Sequence, residues 1–200
     1  MSYNVLNVTR GILLGREMYK ALGALEIAAK AHEGQTRKGS GEDYINHPLA
    51  VATELLSSGV YDEDVISAAF LHDVLEDTMI TPTDLLEKGV TPQTLRIVQL
   101  LTKPKAIEGE SEEEFNGRYY SAVMRDYRAE LVKCADRVHN LSTMGECWGP
   151  DKIKSYIAEA ESYVMPMLKE LRWEHPEYAS ACFNMKLVID AIANLSLALK

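Results

Sequence analysis

The chain has 200 residues, of which 46% are hydrophobic and 26% charged, so it can bury a substantial core and is most simply organised as one domain. A net charge of −9 argues against a nucleic-acid polymer as the main partner, while leaving room for a small anionic ligand held by a local cluster of Lys and Arg. Cys134, Cys147 and Cys182 are widely spaced with no CxxC pair, which fits reduced thiols in the cytoplasm and gives no support for a disulfide framework or a zinc finger.

Residues 1–16 show no clear period and read as a loose N-terminal arm; the Ile12-Leu13-Leu14 run between Gly11 and Gly15 is too short for a signal or membrane segment. Between Glu17 and Ala31, apolar Met18, Leu22, Leu25, Ala28 and Ala29 recur at helical spacing, with Gly34 as the stop. A polar loop over 35–43 carries Arg37-Lys38, and Tyr44-Ile45-Asn46-His47-Pro48 opens a second helix buried through Leu49, Val51, Ala52, Leu55 and Leu56. After Gly59, Asp62 caps the next helix. Its apolar run Val65, Ile66, Ala68, Ala69, Phe70, Leu71 leads directly into His72-Asp73, with Glu76-Asp77 one turn later.

Thr81-Pro82 and Thr91-Pro92 each pair a Thr cap with Pro in the first turn, marking two more helix starts. The Glu-rich stretch 103–117 reads as a mobile acidic insertion, although Ser111 to Glu114 could form a capping box. Helical patterns resume over 119–143, 151–172 and 177–199, with His175-Pro176 at the last turn. No segment alternates with period two, so the expected fold is all-α.

If 68–78 is helical, His72, Asp73, Glu76 and Asp77 share an arc of roughly 140° on a helix otherwise built for burial. Buried carboxylates need a cation, a donor or a proton. Taken alone, this pair reads most simply as a satisfied core histidine beside a solvated acidic face. Two further residues favour a metal site: His47 at a helix start, and Asp136 embedded among Leu131, Val132, Ala135 and Val138. Two imidazoles with two carboxylates suit Mn, Fe, Co or Zn better than Ca or Mg.

His47, His72-Asp73 and Asp136, in that order, resemble the signature of HD-domain metal-dependent phosphohydrolases. The likeness is closer to the hydrolase domain of Rel/SpoT-type (p)ppGpp enzymes: Arg37-Lys38 with Tyr44-Ile45-x-His47-Pro48 resembles their RK…YI-x-HP element. His72 to Thr78 is similar to their HDxxEDT element, Lys133 to Asn140 to their K-x-ADR-x-x-N segment, and Glu161 to Pro166 to a later E-x-Y-A-P stretch. The resemblance covers about residues 20–170. It implies a single HD-type helical bundle over 1–200, acting as a small stand-alone alarmone hydrolase of the stringent response.

The implied activity is Mn-dependent removal of the 3′-pyrophosphate from (p)ppGpp or its adenosine counterpart. Metal ligands would be His47, His72, Asp73 and Asp136; the catalytic acids Glu76 and Asp77; substrate contacts Arg37, Lys38, Asn140 and Thr143. Lys133 and Arg137 could serve either the carboxylates or the substrate. His32, His139 and His175 are expected to be structural, with His139 on the far side of its helix from Asp136. The loop Gly39 to Asp43 departs from the family pattern where the base is held, which leaves guanine against adenine open. The alternatives are an HD nucleotidase acting on other nucleotides and a non-hydrolytic nucleotide sensor. Neither a membrane nor a nucleic-acid polymer is expected as partner, and a homo-oligomer stays open.

Overall fold

The computed structural model describes residues 2–144 and 148–198, so Cys147 lies outside the described residues. Among the described residues, twelve α-helices follow in chain order: α1 (Ser2–Gly15), α2 (Tyr19–Ala31), α3 (Asn46–Ser57), α4 (Glu63–Leu71), α5 (Val74–Asp77), α6 (Pro82–Glu87), α7 (Pro92–Leu101), α8 (Glu112–Val123), α9 (Tyr127–Thr143), α10 (Pro150–Glu159), α11 (Met165–Glu174) and α12 (Ala179–Ala198). A π-helical turn (Ala160–Val164) links α10 to α11, and a 3-10 turn (Pro176–Tyr178) precedes α12. The fold is all-α; among the described residues, extended pairing is confined to one isolated bridge between Thr36 and Asp43. Among those residues, no helix is long and apolar enough to cross a membrane.

Helix α4 is the axis of the bundle. Every residue from Val65 to Leu71 is buried, and α2, α3, α7 and α9 pack around it. A helix apolar on all sides must be enclosed on all sides, which explains its central place. The Asp62 carboxylate accepts from the backbone N–H groups of Asp64 and Val65, as its sequence position predicts. The neighbouring Glu63 does something less local: its Oε1 accepts from the Lys20 N–H at 2.6 Å, so α4 caps the start of α2.

The expectation of a loose N-terminal arm is corrected. Residues Ser2–Gly15 form α1, which buries Leu13 completely and Thr9 almost so. Its period is hidden because Val5, Val8, Ile12 and Leu14 are apolar yet exposed, so hydrophobic residues surround the helix. Within 103–117, Ser111 and Glu114 form the capping box that the sequence suggests and start α8, and Arg118 donates from Nε and Nη2 to Glu110 across the loop. The helix expected over 151–172 widens into the π-turn immediately before Pro166, whose ring nitrogen has no proton for the α-helical ladder.

Candidate metal centre

Three elements bring the site together. His47 enters from the first turn of α3, His72-Asp73 from the end of α4, and Asp136 from the middle of α9. The chain does not continue as one helix through His72. It breaks there, Asp73 becomes the N-cap of α5, and its carbonyl accepts from the Asp77 N–H at 2.9 Å. The break turns Glu76 and Asp77 onto the rim of the cleft while His72 stays buried.

The ligand atoms converge closely. His47 Nε2 lies 3.1 Å from His72 Nε2, 3.2 Å from Asp136 Oδ1 and 3.4 Å from Asp73 Oδ2. His72 Nε2 lies 3.2 Å from Asp73 Oδ2 and 3.7 Å from Asp136 Oδ1. His47, His72 and Asp73 each offer one donor atom within 4.8 Å of the others.

Hydrogen bonding behind the ligands tests whether a cation belongs there. His72 Nδ1 faces the Ala69 carbonyl at 2.8 Å, so Nδ1 carries a proton and the Nε2 lone pair is the one left for a second proton or a cation. That lone pair points at two carboxylates and a second imidazole nitrogen. Burial works against charging His72, but Asp73 and then Asp136 outweigh it and lift its pKa to about 9. Burial likewise opposes ionisation of both acids, yet His72 and His47 hold Asp73, and Lys133 with the two imidazoles holds Asp136, well below the usual carboxylate range. The site therefore demands positive charge, and a mixed N/O set of two imidazoles and two carboxylates fits a divalent transition ion.

The acids themselves are secured. Asp136 Oδ2 accepts from Lys133 Nζ at 2.9 Å and its Oδ1 from Asn140 Nδ2 at 2.5 Å. Tyr44 Oη stands 2.7 Å from both Asp73 Oδ2 and Asp77 Oδ2, linking a candidate ligand to the acid pair. Glu76 Oε1 accepts from the Lys103 N–H at 2.6 Å. Partial desolvation raises the Glu76 pKa against the pull of Lys103.

A cleft of about 640 Å³ opens over these groups, lined by Arg37, Lys38, Lys103, Lys133 and Lys152 together with Trp148 and Tyr156. Cations converge here although the chain as a whole is acidic. Arg37 Nη2 donates to Asn140 Oδ1 at 2.9 Å, so these two expected substrate contacts already meet. Thr143 sits apart from them on a smaller side compartment shared with Arg37, Lys38, Glu42 and His139, its hydroxyl returned to the His139 carbonyl at 3.0 Å.

Arg137 and His139 fall differently from expectation, whereas Lys133, His32 and His175 do not. Arg137 turns away from the cleft: its Nη2 donates to Tyr120 Oη at 2.7 Å and to Glu159 Oε1 at 2.5 Å, and its guanidinium lies 3.7 Å from the Tyr156 ring centre. Lys133 serves Asp136. His139, expected on the far side of α9, instead points its Nδ1 to within 2.8 Å of His47 Nδ1. Burial, then His47 and Arg37, push the His139 pKa down to about 4, so it is neutral. His32 bonds Gln35, and His175 stacks on Tyr127, both as structural residues. Sequence reasoning missed Tyr44, Lys103 and Lys152. Tyr44 had a signal, standing at helical-turn distance before His47, whereas the two lysines lie in stretches that read as solvated.

The fold and the site define an all-α protein with a buried histidine–aspartate cluster beneath a cationic cleft. The HD domain family matches residues 24–163, and the chain belongs to that family. Among relatives, a guanosine-3′,5′-bis(diphosphate) 3′-pyrophosphohydrolase of Haemophilus influenzae is 38% identical over 74% of this chain and 22% of its own length. The bifunctional (p)ppGpp synthase/hydrolase SpoT of Escherichia coli is 35% identical over 74% of this chain and 21% of its own length. The chain thus spans about a fifth of these bacterial relatives. Guanosine-3′,5′-bis(diphosphate) 3′-pyrophosphohydrolase MESH1 of Homo sapiens is 33% identical over 76% of this chain and 86% of its own length. A solved structure described as a metazoan ortholog of SpoT that hydrolyses ppGpp superposes with a TM-score of 0.68 at 26% identity, covering 88% of this chain and 94% of that one.

Proposed function

We propose that the chain is a Mn-dependent hydrolase of 3′-pyrophosphorylated nucleotides, taking (p)ppGpp to GDP or GTP and pyrophosphate. The observation that carries this reading is the placement of Glu76 and Asp77 beside the His47/His72/Asp73/Asp136 cluster under a cleft lined by Arg37 and four lysines. The similarity to MESH1, which the chain covers nearly end to end, supports the same substrate class. The buried thiols Cys134 and Cys182 support a reducing, cytoplasmic setting.

A divalent ion held by the four ligands would supply Lewis acidity toward a phosphate oxygen and lower the pKa of a bound water. The residues around it do the rest. Glu76, with its raised pKa, is suited to take the proton from water at its free carboxylate oxygen. Asp77 is held by Tyr44 and orients the same water. Lys103 and Lys152 neutralise the pyrophosphate as it leaves, while Arg37 and Asn140 hold the nucleoside side. Water adds across the ester linkage, so the nucleoside 3′-hydroxyl and pyrophosphate are the two products.

The test supplies Mn²⁺ and compares ppGpp, its adenosine counterpart and nucleoside monophosphates, with products resolved by anion exchange. Release of pyrophosphate with GDP is expected. Turnover of monophosphates alone would move the protein to the HD nucleotidases, and tight nucleotide binding without turnover would make it a sensor.

A further inference from the structure

We propose that His139 is a positioning residue for the metal centre: its unprotonated Nδ1 receives the Nδ1 proton of His47 and thereby aims the His47 Nε2 lone pair into the ligand set. This rests on the metal-centre reading but not on the identity of the substrate.

The geometry constrains both rings. For His47 Nε2 to serve as a ligand it must carry a lone pair, so the neutral ring holds its proton on Nδ1. That nitrogen faces another nitrogen, His139 Nδ1, at 2.8 Å. Two ring nitrogens bond at that distance only when one carries a proton and the other does not. His139 must therefore accept through Nδ1 and keep its own proton on Nε2. The rings lie 4.8 Å apart, tilted by 42°, which is a hydrogen-bonded approach and not a stacked one.

The two imidazoles of the site are thus braced in different ways. His72 rests on a main-chain carbonyl, that of Ala69, which is fixed by α4 itself. His47 rests on a side chain from another helix. Because His139 lies three residues after Asp136, α9 supplies one ligand directly and holds a second, on α3, from behind. Metal-binding histidines characteristically donate their second ring N–H to a carboxylate, a main-chain carbonyl or water, a place taken here by an imidazole, and removing the partner typically weakens metal affinity by about 10–100-fold. A plain packing role would instead be met by any ring of similar size.

Two substitutions separate these roles. His139→Phe keeps the ring and removes the acceptor; His139→Asn removes the ring and keeps an acceptor where Nδ1 stood. Mn²⁺ alone is titrated into each purified protein, with free Mn²⁺ counted by room-temperature EPR and the metal-free fold followed by far-UV circular dichroism. H139F is expected to bind Mn²⁺ about 10–100-fold more weakly than the parent, and H139N to recover most of the affinity. Since Phe could overfill the site, His139→Ala runs in parallel with the same expected loss, and H139N above H139A becomes the deciding comparison. Parental affinity in H139F or H139A, or H139N as weak as H139A, overturns the role. So does a parent that binds no Mn²⁺.

Discussion

At the scale of single residues, the chemistry depends on how few protons are shared among many acceptors. Tyr44 has one hydroxyl proton and two carboxylate oxygens at 2.7 Å. Burial first, then Asp73 and Asp77, raise its pKa, so it remains a donor at any physiological pH. A cation on Asp73 leaves that proton to Asp77. Tyr44→Phe removes a hydrogen bond to a charged group, which contributes roughly 1.5–3 kcal/mol, so kcat should fall about 10–100-fold with KM little changed. Steady-state kinetics on ppGpp decide it; a raised KM at parental kcat would place Tyr44 on the substrate instead. Arg37 makes the opposite prediction. It reaches Asn140 from the polar loop and touches none of the ligand atoms, so Arg37→Ala should raise KM about tenfold and leave Mn²⁺ affinity as it was.

At the scale of elements, α9 carries more than its share of buried charge: Glu130, Lys133, Asp136 and Arg137 all lie within it. Arg137 clamps α9 to α8 through Tyr120 and to α10 through Glu159. Arg137→Ala leaves Glu159 the Tyr120 hydroxyl but no cation and opens space beside Tyr156, and should cost roughly 3 kcal/mol. A urea unfolding midpoint measures that directly. Much of this framework was legible in the sequence. Continuous apolarity from Val65 to Leu71 marks a central helix, and the Thr-Pro and Ser-x-x-Glu starts mark α6, α7 and α8. Other features were not. One apolar period cannot signal the break at His72, because a change of direction over two residues leaves the pattern intact. The α2 cap provided by Glu63 is a contact across 43 positions, beyond any local rule. His139 is a different case: three residues advance a helix by about 300°, which places it beside Asp136, so helical geometry was enough to contradict the expectation of the far side.

At the scale of the molecule, the bundle carries an internal conflict away from the cleft. Glu130 is only 8% exposed, on the α9 face that meets α11, and its carboxylate confronts Glu170, Glu174 and Asp126. Burial, then those acids, lift its pKa to about 7. In the unfolded chain the same group titrates near its ordinary value of 4.5. Between those two values the folded protein holds a proton that the unfolded chain has released. Stability from this group is therefore fully present below about pH 4.5 and declines as pH rises through about 7. Each tenfold change in proton affinity corresponds to about 1.4 kcal/mol, and water reaching the site trims the total to roughly 1–2 kcal/mol. Glu130→Gln keeps the shape and removes the titration. At pH 8 the variant should melt about 2–8 °C above the parent, from roughly 2–4 °C per kcal/mol for a chain of this size. The gap should close on approach to pH 5, where the parent carboxyl is protonated too. Thermal melts of both proteins at pH 5, 6.5 and 8, without added metal so that the cleft contributes equally, supply the comparison; parallel melting temperatures across that range would place the Glu130 carboxylate in water instead of against α11.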